Sequence, residues 1–482
     1  MTKTKDFLAN NMKSVIGVIL SAIAFCLFIF LPPESYGLPG LTIVEQRMVA
    51  IFITAALLWL TEAIPTWCTS LLVIMVMVIM VSDSSFSPLV SGIPAENLGT
   101  LVNYKQILAT IADPIVILFL GGFVLAIAVT KTGLDVFMAR VLLTPFGKRS
   151  EFVLLGFILV TAVFSAFISN TATAAMMLAF LGPVLNVLPP DGKGRVALAM
   201  AIPVGANIGG IATPIGTPPN GIALKYINDP SGLNLDISFE DWAMTMAPLT
   251  LLFLLISWGV LMWLFPFKQK RIDLKIDGEF KRSRETYIVA ATFILTVLVW
   301  FTGKINGINA NAAAMLPVAI LCVTGVISKD DLAQINWSVL FMVAGGFALG
   351  LGFQETGLAA HLVSSIPFSS WSPILVLVSS GLICWLLSNF ISNSATAALL
   401  VPILCSVGLG MGDSLESVGG VRTLLLGVAL AASLAMTMPI STPPNAIAHS
   451  TGYIKQNDML KAGLIIGIVC GIIGYLAIIF VM

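Results

Sequence analysis

Along this chain the apolar positions neither alternate with polar ones nor trace a single helical stripe; they run together. Charge-free tracts extend from Phe152 to Pro190 (39 residues), Val196 to Leu224 (29), Leu362 to Gly412 (51) and Thr423 to Ile454 (32). A membrane-crossing helix needs about 20 predominantly apolar residues, so these tracts predict spans. As one helix the longest tract would reach about 76 Å. The hydrocarbon core is about 30 Å thick, so that tract turns or breaks inside the bilayer. Strands of a membrane barrel would alternate over about ten positions, and these runs do not. The pattern predicts an all-α polytopic membrane protein, with roughly 11 to 13 hydrophobic segments by length.

Composition agrees and narrows the class. Of 482 residues, 58% are apolar and 10% charged, with 24 basic and 24 acidic residues cancelling. A soluble domain carries about a quarter charged residues, so an ordinary soluble enzyme is excluded, as is a disordered chain. Zero net charge argues against a nucleic-acid partner, which calls for a concentrated basic face. The six cysteines stand singly in apolar runs without a CxxC spacing, and the two histidines, His361 and His449, form no HExxH. Neither a disulfide framework nor a zinc hydrolase is expected. Lys3, Lys5 and Lys13 precede the run Val15 to Leu31, which is long and lacks a small-residue cleavage site. It reads as an uncleaved first span rather than a signal peptide. The most basic loop, within 266–285, holds Lys268, Lys270, Arg271, Lys275, Lys281, Arg282 and Arg284. With Lys148, Arg149 and the lysines of residues 1–14, it places loop and N-terminus in the cytoplasm, the protein being multi-pass in the plasma membrane.

The chain repeats itself at a nearly fixed offset. Ile168-Ser-Asn-Thr-Ala-Thr-Ala-Ala-Met-Met177 matches Ile391-Ser-Asn-Ser-Ala-Thr-Ala-Ala-Leu-Leu400 at seven of ten positions, offset 223. Ile215-Gly-Thr-Pro-Pro-Asn-Gly-Ile-Ala-Leu224 matches Ile440-Ser-Thr-Pro-Pro-Asn-Ala-Ile-Ala-His449, again at seven of ten, offset 225. Gly121-Gly-Phe123 and Thr132-Gly-Leu134 recur as Gly345-Gly-Phe347 and Thr356-Gly-Leu358 at offset 224. The chain is a duplicated unit, roughly 48–228 and 286–454. Parallel or inverted orientation depends on the parity of the spans, which this comparison leaves open.

The repeated motifs carry the chemistry. Ser169-Asn170-Thr171 and Ser392-Asn393-Ser394 interrupt apolar tracts, and an unsatisfied amide in hydrocarbon is costly. Ser165 and Ser388 lie four residues earlier, on the same helical face as Ser169 and Ser392. Hydroxyls, an amide oxygen and freed carbonyls are the hard ligands a small cation takes. A half-helix starting near Ala172 or Ala395 would aim free N–H groups at an anion. Gly216-Thr-Pro-Pro-Asn220 and Ser441-Thr-Pro-Pro-Asn445 force non-helical backbone. Such backbone is tolerated at membrane depth when buried or lining a cavity. Threonine is placed as N-cap, proline at the first helical position and Asn220 or Asn445 in the first turn. Alternatively, both motifs merely knit helices or form ordinary helix entries. No arginine or lysine falls within the four motifs, so dipoles alone would offset a divalent anion far less well than co-bound cations, which points to symport. Lys225, five residues after Asn220, either snorkels at a helix end or supplies a built-in charge that favours exchange. His449 is read as a buried neutral histidine, with pH response as the alternative.

These residues resemble the divalent anion:sodium symporters, carriers of di- and tricarboxylates or sulfate. The paired Ser-Asn-Thr and Thr-Pro-Pro-Asn motifs carry the likeness. Ala432-Ser433, Pro439-Ile-Ser441 and Asn445-Ala-Ile447 fit the family's C-terminal signature, with Met436 where phenylalanine is usual. The resemblance implies about 11 transmembrane helices, two re-entrant hairpins around Gly121-Gly122 and Gly345-Gly346, inverted repeats, and a homodimer in membrane lipid. It further implies an elevator, with scaffold helices in 15–100 and 229–329 and a transport domain in 101–228 and 330–482. Sodium ligands carry over to Ser165, Ser169, Asn170 and the Gly216 carbonyl, mirrored by Ser388, Ser392, Asn393 and the Ser441 carbonyl. Substrate carboxylates carry over to Asn170, Thr171, Thr217, Asn393, Ser394 and Thr442. Ser394 replaces the usual threonine, and Ser441 fills a position often taken by alanine.

The expectation is therefore a transporter, not an enzyme. It carries C4-dicarboxylates (succinate, malate, fumarate) with sodium as coupling ion and no organic cofactor. A sodium-independent dicarboxylate exchanger of the same fold is the alternative, and a sulfate carrier a further one. Gly410-Met-Gly-Asp413 fits the GxGD pattern of intramembrane aspartyl proteases, but that chemistry needs a second membrane aspartate. Asp413 sits beside Glu416 in a short polar stretch and is read as a loop residue. Nothing resembles a repeated channel filter.

Overall fold

A computed structural model describes residues 2–186, 188–189, 192–229, 233–272, 281–365 and 368–480. Part of the basic loop, 273–280 with Lys275, lies outside the described residues. Among those described, nine helices are long and apolar enough to cross a membrane, and six shorter apolar helices accompany them. No strand forms among them beyond two isolated bridges, Ser82 with Val102 and Arg149 with Arg271. The all-α polytopic architecture expected from the unbroken apolar tracts is the one adopted. The chain divides into two compact units, described separately.

The first comprises Met1–Val116, Trp337–Ser380 and Ser394–Leu425. Its Ile43–Thr61 helix opens on a capping box, Thr42 and Glu45 each satisfying the other's backbone N–H. Thr2–Phe30 packs along this helix. The Thr66–Met80 helix ends near a buried guanidinium: Arg47 donates to the Met80 carbonyl at 3.0 Å and the Leu89 carbonyl at 2.7 Å. Free carbonyls at a helix end are costly when buried, so Arg47 satisfies groups that water would otherwise take. Trp337–Glu355 lies against Thr66–Met80, and a methyl group at Gly345 would run into Ser70.

The second unit comprises Ile117–Asn336, Gly381–Asn393 and Leu426–Met482. Its centre is the Lys193–Gly209 helix, packed on Ser150–Phe167, Asn170–Asn186, Phe239–Leu264 and Pro443–Ser450. Gly205 and Gly209 allow that approach: a side chain at either would meet the backbone of Ile158 or Ala162. A cluster of Leu118, Ile215, Phe239, Trp300, Ala313 and Ala314 fills one end, the Phe239 and Trp300 rings stacked 5.2 Å apart. Phe239–Leu264, Arg284–Phe301 and Gln456–Phe480 leave most of their residues uncovered, among them Leu251, Leu255, Ile294, Leu298, Ile468 and Ile472. Apolar surface on that scale marks a lipid-facing wall.

Helix order repeats as the sequence comparison anticipated. Pro114–Thr132 corresponds to Trp337–Glu355, and the left-handed Gly133 (φ 70°) to Gly357 (φ 87°). The hairpin positions need correction. Both glycine pairs lie inside continuous helices, Gly121-Gly122 in Pro114–Thr132 and Gly345-Gly346 in Trp337–Glu355. They serve close packing: Gly121 abuts the Ala314 carbonyl and Gly345 abuts Ser70. The helix breaks fall instead at the Ser-Asn motifs.

Candidate functional site

The first break follows Ser150–Phe167. Ile168 is extended (φ −122°, ψ 156°), and the next helix, Asn170–Asn186, begins two residues before the expected Ala172. The Ser169 hydroxyl oxygen accepts from the Ala172 N–H at 3.2 Å, which fixes the new helix start. Ser165, fully buried, directs its hydroxyl toward Asn170 Oδ1 at 2.5 Å and the Ala206 carbonyl at 2.7 Å, two acceptors for one proton. The second wall is the turn before the Thr-Pro-Pro-Asn motif. Asn220 Nδ2 donates to the Gly210 carbonyl at 2.9 Å and the Thr213 carbonyl at 2.8 Å, while the Thr213 hydroxyl donates to the Ala166 carbonyl. This side-chain clamp closes the loop that presents Gly216. Thr217 then takes the N-cap position of Pro218–Ile227 in extended conformation, without a side-chain cap bond, with proline at the first helical position as expected.

Three of the four first-repeat oxygens thus share one place. Asn170 Oδ1 and the Gly216 carbonyl each lie 3.0 Å from the point where a Gly210 side chain would start. Ser165 reaches the same Asn170 oxygen. We call this cluster the first cup; only a residue without Cβ leaves it open.

The second repeat is built alike but satisfied differently. Pro373–Ser388 ends, Asn389–Ser392 is non-helical, and Asn393–Met411 starts two residues before the expected Ala395. Asn389 Oδ1 accepts from the Thr437 N–H at 2.9 Å and the Thr437 hydroxyl at 2.6 Å, tying this break to the turn before Ser441. Asn445 Nδ2 donates to the Met436 carbonyl at 2.9 Å and the Met438 carbonyl at 3.0 Å, the same clamp as Asn220. Thr442 caps Pro443–Ser450, its hydroxyl accepting from the Asn445 N–H. Ser388 Oγ and Asn393 Oδ1, the counterparts of the bonded pair Ser165 and Asn170, are buried with no hydrogen-bond partner among the described residues. Buried oxygens without a donor are unfavourable unless something else fills the place.

The first cup, Ser388, Ser392, Asn393 and Ser441 all fall in the second compact unit, as do Thr171, Thr217 and Thr442; Ser394 opens a segment of the first. Thr171, Asn393 and Ser394 are partly exposed, whereas Thr217 and Thr442 are buried. Lys225 and His449 stand in the last turns of their short helices, both partly exposed, so His449 is not the fully buried histidine expected. Pro443–Ser450 runs antiparallel to Lys193–Gly209: Asn207 meets Asn445 at one end, and the Arg195 guanidinium stands 5.0 Å from the Tyr453 ring at the other. Asn207, Gly210, Thr213, Asn389 and Thr437 escaped the sequence reading. Two signals were present: Thr213 and Thr437 share the 224 offset, and Asn207 is the one amide besides Asn220 in a 29-residue apolar tract.

Paired helix breaks inside a lipid-facing helical shell define a multi-pass membrane transporter. A family model described as "Citrate transporter" matches residues 56–419, and the chain belongs to that family. The divalent anion:sodium symporter resemblance agrees with this assignment. An "Uncharacterized transporter" of Haemophilus influenzae is 31% identical, covering 97% of this chain and 96% of its own. The "Sodium-dependent dicarboxylate transporter SdcS" of Staphylococcus aureus is 28% identical over 100% of this chain and 93% of its own. In fold, the chain resembles the Alcanivorax borkumensis YdaH transporter, with TM-score 0.55 and 13% identity over 87% of this chain and 99% of that one. These relatives are transporters, not enzymes, and Asp413 of the GxGD pattern is exposed in a short 3-10 stretch.

Proposed function

We propose that the protein is a sodium-coupled carrier of C4-dicarboxylates such as succinate, malate and fumarate. The observation that carries the reading is the pair of oxygen-rich breaks in one compact unit. One is closed on itself through Ser165 and Asn170; the other leaves Ser388 Oγ and Asn393 Oδ1 buried with no hydrogen-bond partner among the described residues. Hydroxyl, amide and carbonyl oxygens suit a hard monovalent or divalent cation. The motifs carry no basic side chain, so a dicarboxylate held at Asn170, Thr171, Thr217, Asn393, Ser394 and Thr442 gains most when cations sit beside it. That dependence of anion on cation is the physical content of symport. Similarity to the sodium-dependent dicarboxylate transporter over the whole chain supports the choice of ion and substrate.

In this reading Ser165, Ser169, Asn170 and the Gly216 carbonyl hold one sodium ion. Ser388, Ser392, Asn393 and the Ser441 carbonyl hold another. The repeats are taken as inverted, the arrangement in which corresponding broken helices meet near the bilayer midplane. An elevator of segments 101–228 and 330–482 against 15–100 and 229–329, in a homodimer of the plasma membrane with a cytoplasmic N-terminus, completes the proposal.

The test is uptake of labelled succinate into proteoliposomes, empty or preloaded with unlabelled dicarboxylate, with and without an inward sodium gradient. Gradient-dependent uptake into empty vesicles is expected. Uptake only into preloaded vesicles, indifferent to sodium, would replace symport by exchange.

A further inference from the structure

The last turn of Lys193–Gly209 touches both repeats at once. The Ala206 carbonyl accepts from the Ser165 hydroxyl of the first cup, and Gly210 lies against Asn170 Oδ1 and the Gly216 carbonyl. Between them Asn207, 2% exposed, donates Nδ2 to Asn445 Oδ1 at 3.0 Å. The orientation of this amide pair follows from the surrounding bonds. Asn445 spends its N–H groups on the Met436 and Met438 carbonyls, so its oxygen faces Asn207, and Asn207 must present nitrogen. Asn207 Oδ1 is left with no partner among the described residues. The orientation of its side chain therefore rests on the bond to Asn445 of the second repeat.

That bond reaches the second cation place directly. Asn445 clamps the turn from Met436 to Ser441, and its Nδ2 also lies 3.2 Å from the Ser441 hydroxyl. The Ser441 carbonyl is one of the oxygens assigned to the second ion. From Ser165 to Ser441 the path is Ala206, Asn207 and Asn445, with adjacent residues in one helix between the two side-chain bonds. A cation entering the first cup competes for Asn170 Oδ1 and turns the shared Ser165 proton wholly to Ala206. Helix backbone is stiff, so this change bears on Asn207 one residue away.

Resting on the sodium-coupled reading, we propose that Asn207 is a positioning residue that couples the two cation places, making sodium binding at one repeat favour binding at the other. It touches neither ion nor substrate. Its amide holds the second repeat's turn at a distance set by the first repeat's helix. A coupling of this kind is reciprocal, and couplings between sites typically change affinity about 5- to 150-fold.

The experiment is a sodium titration of succinate uptake in proteoliposomes, with melting temperature in sodium-free buffer as the folding control. Wild type is expected to give a curve steeper than two independent sites allow. Asn207→Leu, near the same volume without a donor, is expected to raise half-saturating sodium about 3- to 10-fold, the worth of one internal hydrogen bond to a buried group. The curve should flatten toward that of two independent sites, while KM for succinate at saturating sodium stays within about twofold. Asn207→Ser, which keeps a donor, is expected to recover part of the steepness and carries the test if the leucine variant does not fold. Wild-type steepness and half-saturation in both variants would overturn the coupling, as would a wild-type curve no steeper than two independent sites give. A proportional rise in both constants at unchanged steepness would also overturn it, since loosened packing alone would do that. Succinate uptake indifferent to sodium in wild type would instead defeat the underlying symport reading.

Discussion

Gly210→Ala isolates the first cup from the fold that holds it. The glycine sits at φ −60° and ψ −19°, an ordinary right-handed conformation, so alanine meets no backbone strain. Outside the cup the substitution should help by about 0.4–1 kcal/mol, because the unfolded chain loses freedom. Inside it, the new methyl carbon starts 3.0 Å from Asn170 Oδ1, 3.0 Å from the Gly216 carbonyl and 3.2 Å from Asn170 Nδ2. Ordinary contact begins at 3.4 Å, so the oxygens must retreat by about 0.4 Å. Binding constellations tolerate only about 0.5 Å of misplacement. Weakening one or two ligand bonds costs about 1–2 kcal/mol, or roughly a 5- to 30-fold rise in half-saturating sodium. Gly259→Ala is the matched control, since nothing lies within 4 Å of its added carbon. Sodium titration of succinate uptake, with melting curves in sodium-free buffer, gives both quantities. A folded Gly210→Ala protein with wild-type sodium dependence would refute the placement of a cation between Asn170 and the Gly216 carbonyl.

Four further outcomes follow from the geometry. Gly345→Ala should lower the melting temperature and yield by a destabilisation of about 1–3 kcal/mol, because its methyl group overlaps Ser70 in a packed helix pair; unchanged melting would contradict that contact. Asn389→Ala should cost about 1–3 kcal/mol by leaving the buried Thr437 N–H without an acceptor, read by denaturation against Asn389→Asp, which keeps the acceptor. Lys131 Nζ, 2.5 Å from Asp331, holds that carboxyl down from 3.8 to about 2, so its stabilisation is present above about pH 4 and lost as pH falls through 2. Melting should therefore show no Asp331 contribution to pH dependence from pH 5 to 8, and Asp331→Asn should remove part of the acid decline. Asp413→Ala should leave succinate transport intact, Asp413 being an exposed loop residue; near-total loss would reopen its role.

How much of this was legible in the sequence depended on whether the determining partner was near in the chain. Pro218 and Pro443 act on their own helix starts, so Thr217 and Thr442 were identified as caps from the motif alone. The Ser-Asn breaks were legible because an amide repeated at matched positions in hydrocarbon is hard to explain otherwise. The glycine pairs misled. Two adjacent glycines cost a helix only about 1 kcal/mol each, and close approach to Ala314 and Ser70 required them. Nothing local distinguishes a glycine that breaks a helix from one that admits a neighbour. Gly210 and Asn389 were missed for the same reason, since their meaning lies in Asn170, Gly216 and Thr437, from 6 to 48 residues away. The early start of Asn170–Asn186 reflects local capping by Ser169, which accepts from the Ala172 N–H.

The antiparallel seat of Pro443–Ser450 against Lys193–Gly209 has a consequence for biosynthesis. Asn207 enters the membrane with the first repeat, yet the acceptor for its N–H is made more than two hundred residues later. Until the ribosome has translated past Asn445, the nascent first repeat carries an unmatched amide where lipid cannot hydrogen-bond it. A chain stopped before Pro443 is thus incomplete in its opening half as well as at its end. That mismatch in the first half ends only when Pro443–Ser450 docks and Asn445 accepts from Asn207.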